Sequence, residues 1–274
     1  IASAVLNVAM DFLFVVAWEQ GVAGAAFATV TAEAIAALFC IIYVRIKIPF
    51  LMFKRHEFVF DKVLLRTIVS YSSVAAMQQI ALHIGKFLIQ GAVNPLGVVT
   101  IAAFNAVTRL DDFVMIVQQN IGHGATGFIA QNNGKGLTNR IRKGFLIGLK
   151  MEVIYTMIIS AIVFMFSKEL VALFTGKEEL EVVAAGVSYL RIMAFLYLLP
   201  GITNILQGYF RGLGKMKITL NATVIQIIGR VISAYFMASY LGIQSFVWAC
   251  LIGWICMLSY EFPKFWESWK ESQA

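Results

Sequence analysis

Charged residues are scarce in this chain of 274 residues. Asp, Glu, Lys and Arg together make up 14% of it, whereas hydrophobic residues make up 60%. The mean hydropathy is +0.80. A soluble domain of this length does not need so much apolar surface, but a bundle of membrane helices does. The composition therefore excludes an ordinary soluble domain and predicts an integral, multi-pass membrane protein.

Cysteine and histidine are also scarce, with three residues of each. The cysteines lie in apolar segments and lack the spacing of zinc ligands or of a disulfide framework. A membrane-embedded enzyme acting on lipids would need a metal or a His/Asp cluster at one interface, and scattered histidines do not supply one. We therefore predict no metal site, no cofactor and no enzyme. The residues concerned are Cys40, Cys250, Cys256, His56, His83 and His123.

Eight apolar segments follow one another along the chain. Segments of this length exceed any membrane-spanning strand, so the predicted fold class is all-α, a polytopic membrane helix bundle. Pro200 and Gly201 interrupt the sixth segment and predict a hinge there, because proline removes one backbone hydrogen bond. The segments run approximately over 1–17, 22–44, 67–93, 98–130, 144–166, 182–210, 218–241 and 243–262.

Basic residues are distributed between these segments rather than over one soluble face. The formal charge is +7, but basic and non-basic loops alternate without exception, which favours the positive-inside rule over a nucleic-acid footprint. The basic loops are therefore predicted to be cytoplasmic. The charged stretch 49–66 is predicted to be a cytoplasmic interfacial linker between two lobes, and 263–274 a cytoplasmic tail anchored at the interface.

One carboxylate is set in the first apolar segment. Asn7 and Asp11 are four residues apart and share a helix face. Asp11 precedes Gly21 by ten residues and Thr29 follows it by eight, so both lie roughly 12 to 15 Å from that turn. In an antiparallel hairpin both would be near the bilayer midplane. An acid there indicates a proton or cation site, with structural pairing to a base as the alternative.

Further charges fall inside the later segments. Lys86 precedes the turn at Pro95, and Asp111 and Asp112 follow it, so the lysine and the acids are predicted to approach each other. Such a pair would reduce the cost of burying either sign, as a fixed clamp or as part of a proton relay. Arg230 lies in the middle of its segment and is interpreted as a counterion rather than a substrate contact.

Several motifs, taken in order along the whole chain, resemble those of the multidrug and toxic compound extrusion (MATE) family. The resemblance implies two lobes of six helices each and export of organic cations in exchange for protons or sodium ions, by alternating access at the cell membrane. It assigns 1–48 to the last two helices of the first lobe and 67–262 to the six-helix second lobe. The motifs are LNVAMD, GVAGAAFATV, AVTRLDDF, GFIAQNNGKG, SYLRI and QGYFRGLGKMK.

The resemblance also implies site residues and partners. Asn7, Asp11 and Thr29 match a cation site that one branch of the family has in its first lobe. Another branch uses a Glu and an Asp in the second lobe, and the corresponding stretch MQQIALHIGKF and the later helix lack them. The expected partners are a small organic cation, the lipid bilayer, and the four missing N-terminal helices of the same protein.

Three other interpretations remain open at this point. A lipid-linked oligosaccharide flippase of the same superfamily is the nearest, although such proteins typically add helices and a cationic central cavity. A membrane-embedded lipid-modifying enzyme is the second. The third is a truncated product without function, because the chain opens on Ile1 inside an apolar segment.

The loop pattern predicts the orientation of the chain. We expect the loops of Lys54, Arg142 and Lys215 to be cytoplasmic, and Pro95 and Glu178 to face outside, because basic loops stay inside. Single cysteines at these positions, in a background without native cysteines, can be labelled with an impermeant reagent in intact cells. Labelling of the cysteine at position 142, together with protection of the one at position 178, would show that the chain has the opposite orientation.

Overall fold

The structure, a computed structural model, describes residues 2–51, 60–176 and 179–271. These residues form helices joined by short turns, and no strand occurs among them. The all-α prediction is therefore confirmed. Contacts divide the chain into two compact units, Ile1–Leu65 and Arg66–Ala274. Lys54 and Glu178, which the orientation prediction uses, lie outside the described residues.

The first unit is a helical hairpin. Helix α1 (Ala2–Asp11) continues into a π-helical turn (Phe12–Ala17), and α2 (Gly21–Lys47) returns after a three-residue connection. A short 3-10 turn (Pro49–Leu51) follows. Most side chains of α2 are apolar, and they are distributed over every face of the helix. This is expected of a helix that contacts lipid or other helices on all sides.

The second unit contains the remaining eight helices of the described chain, except for residues 62–65 at the start of the first of them, which fall in the first unit. A 3-10 turn (Asn94–Leu96) connects the first two of them. The helices are α3 (Lys62–Val93), α4 (Val98–Asn133), α5 (Thr138–Met165), α6 (Ser167–Thr175), α7 (Leu180–Leu196), α8 (Leu198–Gly212), α9 (Met216–Leu241) and α10 (Gln244–Glu271).

Each of the eight predicted segments coincides with a helix or a pair of helices. Among the described residues, α2, α5, α9 and α10 are each long and apolar enough to cross a membrane, and α7 with α8 makes a fifth such span. The first segment is shorter, with apolar helix over Ser3–Ala17. Helices α3 and α4 are longer, 32 and 36 residues, and carry polar side chains within the apolar sequence.

Several helix boundaries differ from the predicted ones, and two of them fall in the predicted linker and tail. Helix α3 begins at Lys62, inside the predicted linker, and Asp61 caps it by accepting the Val63 and Leu64 backbone N–H groups at 2.7 and 3.1 Å. Helix α10 continues through Pro263 to Glu271 rather than ending at 262. Proline removes only one backbone donor, and the aromatic packing described below holds the last turns in place.

The sixth segment is bent rather than straight. Helices α7 and α8 meet at Tyr197 with an angle of 48° between them. Pro200 is the third residue of α8 and has no N–H for the carbonyl of Leu196, so the helical ladder is interrupted at the bend. The predicted hinge thus coincides with a bend, and its movement remains a prediction.

Two apolar clusters form the core of the second unit. The larger joins α3, α4, α7, α9 and α10 around Phe104, Tyr189 and Phe246. The smaller joins α4, α5, α8 and the end of α10, where Phe145, Tyr209, Phe265 and Trp269 pack ring against ring at centroid distances of 4.7 to 6.4 Å. Trp269 is therefore part of the core packing as well as of the charged tail, and Trp266 is 52% exposed.

Helices α4 and α8 cross closely at two glycines. A Cβ added to Gly208 would lie 2.5 Å from the backbone oxygen of Gly122, and one added to Gly122 would lie 2.8 Å from that of Asn204. Small residues at such crossings let helix backbones approach each other in membranes. The two glycines therefore set the distance between α4 and α8.

We expect Gly208→Ala to destabilise the protein by about 1–3 kcal/mol, because the added methyl group meets backbone that has to move. Thermal unfolding of the purified protein in detergent measures this. The matched control is Gly124→Ala on α4, where an added Cβ meets nothing within 4 Å. Equal melting temperatures for the two variants would show that the crossing tolerates a side chain.

Candidate functional site

The predicted cation-site residues of the first unit lie on facing helices. Asn7 on α1 donates from Nδ2 to Thr29 Oγ1 on α2 at 3.4 Å, and Thr29 in turn donates to the Ala25 carbonyl at 3.0 Å. The hairpin thus brings together two residues that are 22 positions apart in the sequence. A carboxamide oxygen and a hydroxyl at this point can supply neutral ligands to a cation.

Asp11 lies one helical turn beyond Asn7, at the end of α1. It is half-buried, and it has no hydrogen-bond or ion-pair partner within residues 2–51 and the other described ranges. The π-helical turn starts directly after it, with the Trp18 N–H donating to the Leu13 carbonyl at 3.0 Å. Such π-helical turns are rare and occur frequently at functional sites. The structure therefore places Asn7 and Thr29 in contact, with Asp11 one turn away.

In the second unit, the predicted charge network is divided between two places. Lys86 Nζ lies 3.0 Å from Asp112 Oδ1, and both side chains are more than half exposed. Asp111 is buried instead, without a contact to Lys86. Successive residues on a helix point about 100° apart, so Asp111 faces the interior of the unit while Asp112 faces its exposed side. Whether the Lys86–Asp112 pair is a clamp or a relay stays a prediction.

Asp111 is held by two tyrosines of α7 and of the bend. Tyr197 donates to Asp111 Oδ1 at 2.6 Å, and Tyr189 donates to Oδ2 at 3.0 Å. Arg230 on α9 is near enough for an attractive electrostatic interaction with this carboxylate. Each carboxylate oxygen thus has a donor and the charge has a counterion, which is how a buried acid is retained as structure.

A second polar cluster lies between α4, α5 and α8. Gln118 Nε2 donates to Thr156 Oγ1 at 3.0 Å and to the Tyr197 carbonyl at 2.9 Å. Glu152 is one turn before Thr156 on the same face of α5 and is 0% exposed. Its carboxylate reaches the same point beside Gly201 as the other two side chains.

A third cluster joins α3, α8 and α9. Gln78 Nε2 donates to Gln207 Oε1 at 3.1 Å and to Thr223 Oγ1 at 2.7 Å. Arg211 Nη2 donates to the same Gln207 oxygen at 2.6 Å. Glu261 on α10 is buried within electrostatic reach of Arg211. Here an acid is again accompanied by a base.

Sequence reasoning missed Glu152 and Glu261. The signal was present, since an acid inside an apolar segment of 20 residues or more is a functional candidate by itself. Glu152 and Thr156 also repeat the spacing of four residues that marked Asn7 and Asp11. Their partners on α4 and α8 are distant in the sequence, and spacing along one helix could not identify them.

Comparison with known proteins gives matches along the chain. The MatE family model matches residues 74–236. The Probable multidrug resistance protein YpnP of Bacillus subtilis is 28% identical over 215 residues, which are 77% of this chain and 47% of that protein. The Multidrug export protein MepA of Staphylococcus saprophyticus is 24% identical over 265 residues, covering 94% of this chain and 57% of that protein. The chain thus spans about half the length of these curated relatives.

Solved structures share the fold. An outward-facing multidrug resistance MATE family transporter of the MOP superfamily superposes with a TM-score of 0.91 over 100% of this chain and 62% of that one, at 18% identity. MATE in complex with MaL6 gives 0.90 over 99% and 62%, also at 18% identity. The fold and a family match that covers more than half of the sequence agree, and the chain belongs to the MATE family of membrane transporters.

Proposed function

We propose that the protein carrying this chain is a secondary antiporter of the cell membrane that exports organic cations in exchange for protons or sodium ions. Family membership supports transport rather than an enzyme acting on lipids. The names of the relatives refer to multidrug resistance and export, which supports small organic molecules as substrates. No resident cofactor is needed, because the coupling ion itself is the second ligand.

The observation that carries the proposal is the contact between Asn7 and Thr29 with Asp11 one turn away. A carboxylate within an apolar hairpin is costly when charged, so it favours a bound cation or proton. A cation with different affinities for the inward- and outward-facing states shifts the balance between them. Entry of the ion down its gradient then drives the return of the transporter and the release of an organic cation.

The proposal includes further partners. The lipid bilayer surrounds the helices, and additional N-terminal helices of the same protein would complete the first lobe that α1 and α2 begin. Nucleic acid is not among the proposed partners. The lipid-linked oligosaccharide flippase remains the alternative within transport, and it differs in its substrate.

We expect Asp11→Asn to abolish ion-driven export, because the amide carries no charge for a cation or proton to neutralise. Asn7→Ala and Thr29→Ala remove neutral ligands, and should weaken ion affinity or shift the pH dependence without abolishing transport. Uptake of ethidium into inverted membrane vesicles, driven by a proton or sodium gradient and normalised to folded protein, measures all three.

Glu19→Gln is the matched control, since it removes a carboxylate from the exposed turn of the same hairpin. It should transport like the wild type. If Asp11→Asn lowers the amount of folded protein while transport per folded molecule is unchanged, Asp11 has a structural role and takes no part in ion coupling. Transport of a lipid-linked oligosaccharide without an ion gradient would favour the flippase.

A further inference from the structure

Three acids of the described chain are buried in the second unit, and one of them differs from the others in its surroundings. Asp111 has two tyrosine donors and Arg230 nearby. Glu261 has Arg211 nearby, and within the described residues both of its carboxylate oxygens, like those of Glu152, have no hydrogen-bond donor. Glu152 is 0% exposed, and no charged side chain among the described residues compensates its charge. An ionised carboxylate is not kept in an apolar interior without a counterion.

Three side chains converge beside Gly201. A Cβ at Gly201 would lie 3.2 Å from Gln118 Nε2, from Glu152 Oε2 and from Thr156 Oγ1. These atoms come from α4 and α5 and surround one point next to the first turn of α8. A larger residue at position 201 would occupy that point, so the glycine leaves room for the polar groups to meet.

The hydrogen bonds within the cluster use the donors of Gln118, and they leave acceptor oxygens without a donor. The Gln118 amide gives its two donors to Thr156 and to the Tyr197 carbonyl. Within the described residues, Gln118 Oε1 and both Glu152 oxygens are buried and have no donor. Buried polar groups are nearly always satisfied, so three such oxygens at one place indicate a positively charged partner.

The titratable groups around Glu152 do not supply this charge. Tyr155 is near it on α5, but its hydroxyl donates to the Val114 carbonyl at 3.0 Å. The Tyr197 hydroxyl donates to Asp111. The charged or titratable side chains of the surrounding helices either lie on exposed faces or are several turns away along the helices: His123 on α4, Lys150 on α5, Lys168 and Glu169 on α6 and Arg191 on α7.

We infer that Glu152, Gln118 and Thr156 form a monovalent-cation site in the second unit, with the Glu152 carboxylate binding either a proton or a sodium ion. A proton on Glu152 would be donated to Gln118 Oε1 or Thr156 Oγ1. A sodium ion would be bound by oxygens of all three side chains. The proton and the sodium ion each carry a single positive charge, and either would neutralise the buried carboxylate among neutral oxygens.

The position of this site connects it to the bend between α7 and α8. Gln118 binds the carbonyl of Tyr197, the residue at which the 48° angle occurs. A cation bound to Gln118 Oε1 would act on the same amide group whose Nε2 holds this carbonyl. The effect on transport rests on the proposed function, whereas cation binding at Glu152 does not.

Thermal unfolding of the purified protein in detergent tests the site. At mildly alkaline pH, sodium chloride is compared with potassium chloride at the same ionic strength, and a pH series is recorded without sodium. For a sodium site we expect a rise of about 5 to 10 °C at a sodium concentration a hundred times the dissociation constant. For a proton site we expect the melting temperature to fall as pH rises, because ionisation leaves a buried charge.

Substitutions assign these responses to Glu152. Glu152→Gln carries no charge and should lose the sodium response and the pH response that the wild type shows. Thr156→Val removes one oxygen and should weaken the sodium response. Glu169→Gln on the exposed side of α6 is the matched control and should behave like the wild type.

Asp11→Asn separates this site from the one in the first unit. The responses assigned to Glu152 should persist in that variant even if Asp11 turns out to have no role in transport. Responses that are equal in the wild type and in Glu152→Gln would overturn the inference. If Glu152→Gln does not fold, infrared difference spectra of the wild type replace it: a buried carboxyl band that responds to pH or sodium and shifts in Thr156→Val is expected, and an unchanging spectrum overturns the inference.

Discussion

The close crossing of α4 and α8 at Gly122 and Gly208 is the contact on which the second unit depends. With backbone against backbone at this point, a side chain one turn away on α4 lies close to the first residues of α8. Gln118 reaches the Tyr197 carbonyl at the start of α8. Gln207, one residue before Gly208, meets Gln78 and Arg211. The contact between Gln118 and the start of α8 is thus favoured by one apolar constraint, the absence of side chains where α4 and α8 cross.

Burial alone does not distinguish a structural acid from a functional one, but the partners do. Asp111 has two donors and a base close by, so its charge is satisfied by the protein itself. Glu152 lies beside a glutamine and a threonine, which supply neither a charge nor, within the described residues, a hydrogen bond to its carboxylate. Asp11 resembles Glu152 in having neutral neighbours, Asn7 and Thr29. Neutral oxygens around an acid favour a ligand that can arrive and leave, whereas a fixed base would hold the acid permanently.

The sequence was sufficient for the helices and insufficient for the second-unit clusters. Long apolar runs predict spanning helices directly. The rise per residue predicts Asp11 and Thr29 at a similar depth in the hairpin, whereas the structure has Asn7 in contact with Thr29. Asp111 and Asp112 show where such reasoning ends, because adjacent residues diverge around the helix and take different partners. Gln118, Glu152 and Gly201 come from three helices. Their meeting depends on packing angles that hydropathy does not encode.

The bend at Tyr197 is connected through Gln118 to the polar cluster around Glu152. Pro200 leaves the Leu196 carbonyl without its helical donor, and the Tyr197 carbonyl accepts from Gln118 at 2.9 Å while its bond from Gly201 N–H is longer, at 3.4 Å. The backbone at the bend is therefore held partly by a side chain of another helix. That side chain also contacts Thr156 and lies beside Glu152. A change of charge at Glu152 can thus reach the backbone of α8 through a single residue, because Gln118 Oε1 can take a new partner while its Nε2 holds the Tyr197 carbonyl.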